Sequence, residues 1–138
     1  MATSLTRRVT FRAHHHLWRA DWGAEQNRAA FGALIQSHPH EYTCDVSVSG
    51  AVDPVTGMLV DLVALDALLA REVTDALEGR DLNREVAPFS SGQPIPTCEA
   101  LAEHLFGRIA AGLPAGVRLA RVRVAEDATL GAECTGLA

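Results

Sequence analysis

Two stretches of this 138-residue chain alternate between apolar and polar residues, and this period of two constrains the fold more than any other feature. The apolar positions are Val9, Phe11, Ala13 and His15 in residues 8–16, and Tyr42, Cys44, Val46 and Val48 in residues 42–52. Successive side chains of a strand point to opposite faces, so each stretch predicts a strand with one face in the core.

Turn and capping residues predict the other elements. The turn DPVTG (residues 53–57) predicts a hairpin that returns residues 58–61 as a short strand. Asp61 predicts the N-cap of a helix that runs to about residue 77, and Thr97 predicts the N-cap of a second helix that runs to about residue 111.

The remaining segments complete an α+β pattern. The sequence predicts connectors at residues 21–36, where a short helix is possible, and at residues 80–96. It predicts a strand at residues 118–126, where apolar and polar residues alternate, and a short strand at residues 132–135 that can pair with it. We therefore expect one domain, residues 1–138, in the order β-β-α-α-β-β, with an antiparallel four-stranded sheet and two helices on one face.

Composition excludes several classes of function. The net charge is −5 and the 12 basic residues, all arginine, are scattered, which argues against a nucleic-acid-binding surface. No run approaches the roughly 20 apolar residues of a membrane span, and the first residues lack the apolar segment of a signal peptide, so we expect no membrane partner and a cytoplasmic location. Three widely spaced cysteines predict neither a disulfide framework nor a thiolate zinc site.

Three histidines lie in phase with the core-facing residues of the predicted strands. They are His15, His38 and His40, whereas His14 and His16 point to the other face. Three histidines with an open fourth position are a typical set of ligands for a catalytic zinc ion. The alternative is that each is a hydrogen-bonded core residue, but three in phase at the ends of neighbouring strands favour a Zn²⁺ site.

Seven short segments, in order along nearly the whole chain, resemble the 6-pyruvoyltetrahydropterin synthase and 6-carboxytetrahydropterin synthase family. They are FRAHHHL, NRAAFG, HPHEY, VTGMLVDL, LEGRDLN, PTCEALA and VRVAE. The resemblance implies a tunnelling fold (T-fold), a homohexamer of two stacked trimers with active sites between subunits, and zinc on His15, His38 and His40.

The same resemblance implies a pterin-like small-molecule substrate and residues that bind it. The family's pterin-anchoring glutamate corresponds to Glu126, which is in phase with Val122 and Val124 and so turns inward rather than into solvent. A carboxylate suits this role because it can accept two parallel N–H bonds. The family's Thr-x-Glu corresponds to Thr97 and Glu99, and for Glu99 compensation of the helix dipole is an equal alternative.

The chain departs from the family at the residues that transfer protons. The family's catalytic cysteine corresponds to Leu34, and its Asp-His pair to Glu78 and Gly79, which read instead as a surface acid and a helix C-cap. Replacement bases from nearby sequence are Asp21, Glu25, Glu41 and Cys44, none of them favoured. Two functions stay open: a zinc-dependent lyase on a dihydropterin such as 7,8-dihydroneopterin triphosphate, or a zinc- and pterin-binding protein without turnover.

Overall fold

The computed structural model describes residues 2–136, which form one antiparallel sheet backed by helices. The strands are β1 (Thr3–His15), β2 (His38–Gly50), β3 (Arg118–Ala125) and β4 (Gly131–Cys134), in the order β1-β2-β3-β4. Both long strands extend beyond the alternating stretches, because β1 and β2 stay paired from Thr3 opposite Gly50 to His15 opposite His38. The predicted four-stranded α+β sheet is confirmed.

Helical segments lie between β1 and β2 and between β2 and β3. They are α1 (Ala24–Phe31), α2 (Leu62–Leu69), α3 (Asp75–Leu77), α4 (Leu82–Glu85) and α5 (Cys98–Gly112), with 3₁₀ turns at Gly32–Ile35 and Phe89–Ser91. The predicted N-caps form: the Asp61 carboxylate accepts from Val63 N, and the Thr97 hydroxyl accepts from Ala100 N. None of the helices in residues 2–136 is long and apolar enough to cross a membrane.

The core lies between the sheet and helices α2 and α5. The sheet contributes Phe11, Tyr42, Cys44, Val46, Val48, Val122 and Val124, and the helices contribute Leu65, Leu69, Leu101, Leu105 and Ile109. Each large apolar side chain that is fully buried contributes about 1.5–3 kcal/mol. The Tyr42 ring stacks on that of Phe11 with centroids 4.9 Å apart. The same tyrosine ring lies 5.5 Å from the His40 ring and 6.0 Å from the His15 ring, centroid to centroid.

Two predictions of local structure need correction. Residues 58–61 are not a strand, so the predicted hairpin is wrong: Asp53 N donates to Met58 O within a turn, and Asp61 already caps α2 three residues later. The predicted helix from residue 62 to 77 has the right extent, but a π-helical turn, Ala70–Thr74, separates α2 from α3.

The second face of the sheet is polar and yet partly buried. The Arg8 guanidinium donates two hydrogen bonds, of 2.6 and 3.0 Å, to the Asp45 carboxylate. The hydroxyls of Thr6 and Ser47 form a hydrogen bond of 2.7 Å across the same pair of strands. Hydrogen bonding to Arg8 lowers the pKa of Asp45. This face therefore carries a cross-strand ion pair rather than a second apolar layer.

Candidate metal centre

The three histidines meet at the end of the sheet where β1 ends and β2 begins. The register places His15 opposite His38 and Ala13 opposite His40, which brings all three imidazoles onto the helix-covered face. Their ring centroids are 4.5–5.0 Å apart. The three possible ligand nitrogens lie within 4.8 Å of one another, so the structure brings together the residues that the strand period put in phase.

Backbone carbonyls orient two of the three rings. His15 Nδ1 lies 2.7 Å from Pro96 O and His38 Nδ1 lies 2.7 Å from Gln36 O, contacts in which only the nitrogen can donate. In the neutral ring this places the proton on Nδ1 and leaves Nε2 as the ligand atom, an arrangement typical of metal-binding histidines.

The donor set fits a divalent transition metal. The Nε2 atoms of His15, His38 and His40 are buried and have no hydrogen-bond partner among the described residues. Burial lowers the pKa of His15 to about 4, so this imidazole is neutral, as a metal ligand must be, at neutral pH. Three unpartnered nitrogens aimed at one point are unfavourable unless a cation lies between them.

Glu126 completes the polar lining of this point. Its side chain, 13% exposed, follows the last residue of β3 and turns inward. Its Oε2 lies 2.8 Å from His40 Nε2 and 3.6 Å from His15 Nε2, distances at which the carboxylate pairs with either ring when that ring is protonated. The histidines thus face a carboxylate, and Tyr42 lies below them with its buried hydroxyl unpartnered among the described residues.

Thr97 and Glu99 lie beside the centre rather than in it. They line an open cavity of about 370 Å³ at the N-terminus of α5, together with Arg19, Ile95 and Glu103. None of the three histidines lines this cavity, but Pro96, whose carbonyl holds His15, is the residue before Thr97. The start of α5 therefore connects the metal centre to a cavity large enough for part of a heterocycle.

Position 34 is tied to the centre through the backbone. The carbonyl of Leu34 accepts from Leu17 N at 2.9 Å, and two residues later Gln36 O holds His38. The Leu34 side chain is 48% exposed and offers no proton-transferring group.

Glu78 is exposed, as predicted for a surface acid, and together with Gly79 it also has a structural role. The Glu78 carboxylate accepts from Arg12 N at 2.5 Å, and Gly79 N donates to Arg12 O at 2.7 Å. The segment thereby pairs with the outer edge of β1. The C-cap of α3 is Glu78 itself, and Gly79, with φ +72°, is the residue that follows it.

The four replacement bases considered from the sequence do not meet at the histidines. Glu41 is exposed on the polar face of the sheet, and Cys44 is buried, which raises its thiol pKa to about 12. Asp21 is paired with Arg19 at 2.5 Å, and Glu25 is exposed in the first turn of α1.

Two asparagines that the sequence analysis missed fix the segment after His15. Asn83 both accepts from His16 N and donates to His16 O at 2.9 Å. Asn27, fully buried, accepts from Arg19 N at 2.8 Å and donates to Arg19 O at 3.1 Å. Asn27 and Asn83 do lie in segments that carry the family resemblance, NRAAFG and LEGRDLN, but nothing in their spacing indicates the backbone groups to which they bond.

Fold and site together define a class: an antiparallel α+β sheet with a three-histidine candidate metal centre at the end of its first two strands. The family model described as 6-pyruvoyl tetrahydropterin synthase matches residues 4–136. The human 6-pyruvoyl tetrahydrobiopterin synthase is 31% identical over 124 residues, which cover 88% of this chain and 83% of that protein. The Dictyostelium discoideum enzyme of the same name is 35% identical over 82 residues, 59% of this chain and 61% of that protein.

A solved structure agrees with this assignment. The 6-pyruvoyl tetrahydropterin synthase of Caenorhabditis elegans superposes with a TM-score of 0.90 at 25% identity, covering 99% of this chain and 97% of that one. The chain belongs to the 6-pyruvoyl tetrahydropterin synthase family and has its T-fold, which confirms the resemblance drawn from the seven segments.

Proposed function

We propose that this protein is a zinc-dependent lyase, similar to 6-pyruvoyl- and 6-carboxytetrahydropterin synthases, that acts on a dihydropterin such as 7,8-dihydroneopterin triphosphate or a related heterocycle. The observation that carries the proposal is the cluster of three buried Nε2 atoms that have no hydrogen-bond partner within residues 2–136, in a chain of this family. A three-histidine centre with room for a further ligand is characteristic of catalytic rather than structural zinc.

His15, His38 and His40 would hold the ion through Nε2. Bound zinc acts as a Lewis acid that polarises a coordinated oxygen and acidifies the adjacent C–H group. The carbonyls of Pro96 and Gln36 keep two of the rings in the binding orientation.

Substrate binding is assigned to Glu126, Thr97 and Glu99. The Glu126 carboxylate can accept two N–H bonds from the aminopyrimidinone edge of a pterin, and these bonds fix the ring relative to the metal. Thr97 and Glu99 line the neighbouring cavity at the start of α5 and would contact the rest of the ligand.

Proton transfer differs from the family pattern. A general base contributes roughly 10²- to 10⁴-fold to such reactions, and Leu34 cannot supply it. The chain either uses another base or converts its substrate slowly, so the pterin products of the relatives are not transferred to it.

The residues at positions 34 and 79 favour a second function, binding without turnover. Leu34 carries no acid or base, and Gly79 stands where the relay imidazole would be, so the chain retains the binding groups without the family's proton relay. A zinc- and pterin-binding protein without turnover, acting as a carrier, sensor or assembly partner, has this combination of residues.

Assembly into a homohexamer, a dimer of trimers, is part of the proposal. Strands β1 and β4 are the edges of the sheet in residues 2–136. Residues 79–81 pair only with the end of β1, near Arg12 and His14, and exposed edges are usually covered or paired. Analytical ultracentrifugation of the purified protein should give the mass of six chains, and a monomer or dimer would contradict it.

The direct test of function is incubation of the zinc-loaded protein with 7,8-dihydroneopterin triphosphate, followed by mass spectrometry of the pterins. We expect a product that is absent with His38→Ala. Tight pterin binding without any product would favour the second function, and absence of both zinc and pterin binding would refute both.

A further inference from the structure

We propose that Arg19 is a specificity-determining residue that binds the phosphate group of a phosphorylated ligand in the cavity at the start of α5. The inference rests on the proposed function, because it concerns the pterin-like ligand of that site, and it names the part of the ligand on which recognition depends. Arg19 lies outside the seven segments that carry the family resemblance, so nothing in that resemblance assigns it a role.

The cavity is lined by opposite charges that do not pair with each other. Arg19 is the only basic residue among the described residues that line it, whereas Glu99 and Glu103 contribute two carboxylates from α5. Within residues 2–136 the ion-pair partner of Arg19 is Asp21, which does not line the cavity. The acids of the cavity therefore leave the guanidinium group of Arg19 unpaired with them.

The backbone of Arg19 is held by a buried side chain. The amide of Asn27 accepts a hydrogen bond from Arg19 N at 2.8 Å and donates one to Arg19 O at 3.1 Å. Trp22 N donates to the same carbonyl, also at 3.1 Å. The side chain of Arg19 therefore starts from a fixed point at the edge of the cavity.

Two further contacts fix the guanidinium group itself. Its Nε and Nη2 donate to the Asp21 carboxylate at 2.5 and 3.0 Å. Its central carbon lies 5.4 Å from the centre of the Trp22 ring, close enough for a cation–π contact, and that ring stacks on Phe31 with centroids 6.1 Å apart. An arginine that is already held in place loses less conformational entropy when it binds a ligand.

Asp21 occupies one edge of the guanidinium group and leaves the other edge available. An arginine carries N–H donors on Nε, Nη1 and Nη2, and the pair of bonds to Asp21 uses only the Nε–H and one Nη2–H. The Nη1 atom and the second Nη2–H form no hydrogen bond within residues 2–136. This free edge has the geometry with which arginine forms two parallel hydrogen bonds to a phosphate group.

The separated charges match a ligand that has N–H donors in one part and an anionic group in another. Carboxylates suit the N–H groups of a pterin ring, and the guanidinium group suits the oxygens of a phosphorylated side chain. A ligand without phosphate would leave the free edge of Arg19 to water. We therefore expect phosphorylation of the ligand to raise its affinity through Arg19.

The test compares the binding of neopterin triphosphate and neopterin to the zinc-loaded protein. These compounds are oxidised, fluorescent analogues of the proposed substrate, with and without phosphate. Arg19→Gln removes the charge, and Arg19→Lys keeps the charge but loses the paired donors. Arg28→Gln is the matched control, because Arg28 is an exposed arginine of α1 that does not line the cavity. Circular dichroism confirms that each variant is folded.

Wild type should bind neopterin triphosphate about 10-fold more tightly than neopterin, the lower end for a hydrogen bond to a charged group, because the Arg19 side chain is 43% exposed. Arg19→Gln should abolish this preference without changing the affinity for neopterin. Arg19→Lys should retain part of the preference, and Arg28→Gln all of it. A preference that survives Arg19→Gln, or equal affinity of wild type for both compounds, would overturn the inference. Binding of neither compound by wild type would instead refute the proposed pterin site.

Discussion

Replacement of Gly79 tests the proposal that this chain lacks the proton relay of its family, and it measures what a side chain at this position costs in stability. Gly79 has φ +72°, and a Cβ built on it meets no atom within 4 Å. The cost of a side chain is therefore that of the left-handed backbone alone, about 1–2 kcal/mol. We expect Gly79→His to lose that much free energy of unfolding, and Gly79→Ala to lose a similar amount.

Gly79→Asn is the matched control, since asparagine tolerates the left-handed region better than alanine or histidine. Urea unfolding of the three variants should rank asparagine as the least destabilised. Equal stability of Gly79→Ala and wild type would refute the reasoning from φ.

The same variants address catalysis. Leu34→Cys alone should restore little turnover of 7,8-dihydroneopterin triphosphate, because no imidazole assists the thiol. The turnover of the double variant Leu34→Cys with Gly79→His should exceed that of either single variant. We expect an increase of at most about 10²-fold, which is the smallest contribution typical of a general base. Rapid turnover by the unmodified protein would show that another residue is the base and that Leu34 does not mark a loss.

Two further predictions concern the scaffold. Asn83→Ala should lower the free energy of unfolding by about 1–3 kcal/mol, because it removes the side chain that bonds the N–H and C=O of His16. It should also weaken zinc binding. Urea unfolding and chelator competition measure the two effects, and Gln93→Ala, at an exposed residue, is the control. A zinc affinity equal to wild type would show that the segment after His15 does not position the ligand. Arg8 lowers the pKa of Asp45, so this pair stabilises the fold above the ordinary aspartate pKa of about 3.9 and loses its effect as the pH falls through the lower, folded pKa. Arg8→Ala should therefore reduce the dependence of the free energy of unfolding on pH in the acid range. Arg7→Ala, which removes an exposed pair with Asp66, serves as the surface control. An identical acid profile for Arg8→Ala and wild type would contradict this assignment.

The strand period explains why the clustering of the three histidines could be predicted from sequence. Because side chains alternate between faces, His15, His38 and His40 had to share the face of Phe11 and Tyr42 once residues around them formed strands. The register that sets His15 opposite His38 depends on pairing along the whole of β1 and β2, and no local pattern specifies it.

Contacts between the backbone and distant side chains account for most of what sequence could not predict. Pro96 holds His15 from 81 positions away, and its carbonyl has no signature in the sequence. The predicted hairpin at residues 58–61 failed because the turn residues of 53–57 do form a turn, and a turn signal alone does not distinguish a return strand from a segment that leads into a helix cap. The T-fold assignment and the significance of Leu34, Glu78 and Gly79 came from the resemblance alone.

The central claim is a zinc centre made by three histidines, and the metal content of the purified protein tests it most directly. Elemental analysis after equilibration with Zn²⁺ and removal of excess metal should give one zinc ion per chain for wild type, and a large loss for His38→Ala. His14→Ala is the control, since His14 is exposed on the opposite face of β1 and should retain the ion. Full zinc content in His38→Ala, or none in wild type, would contradict the account.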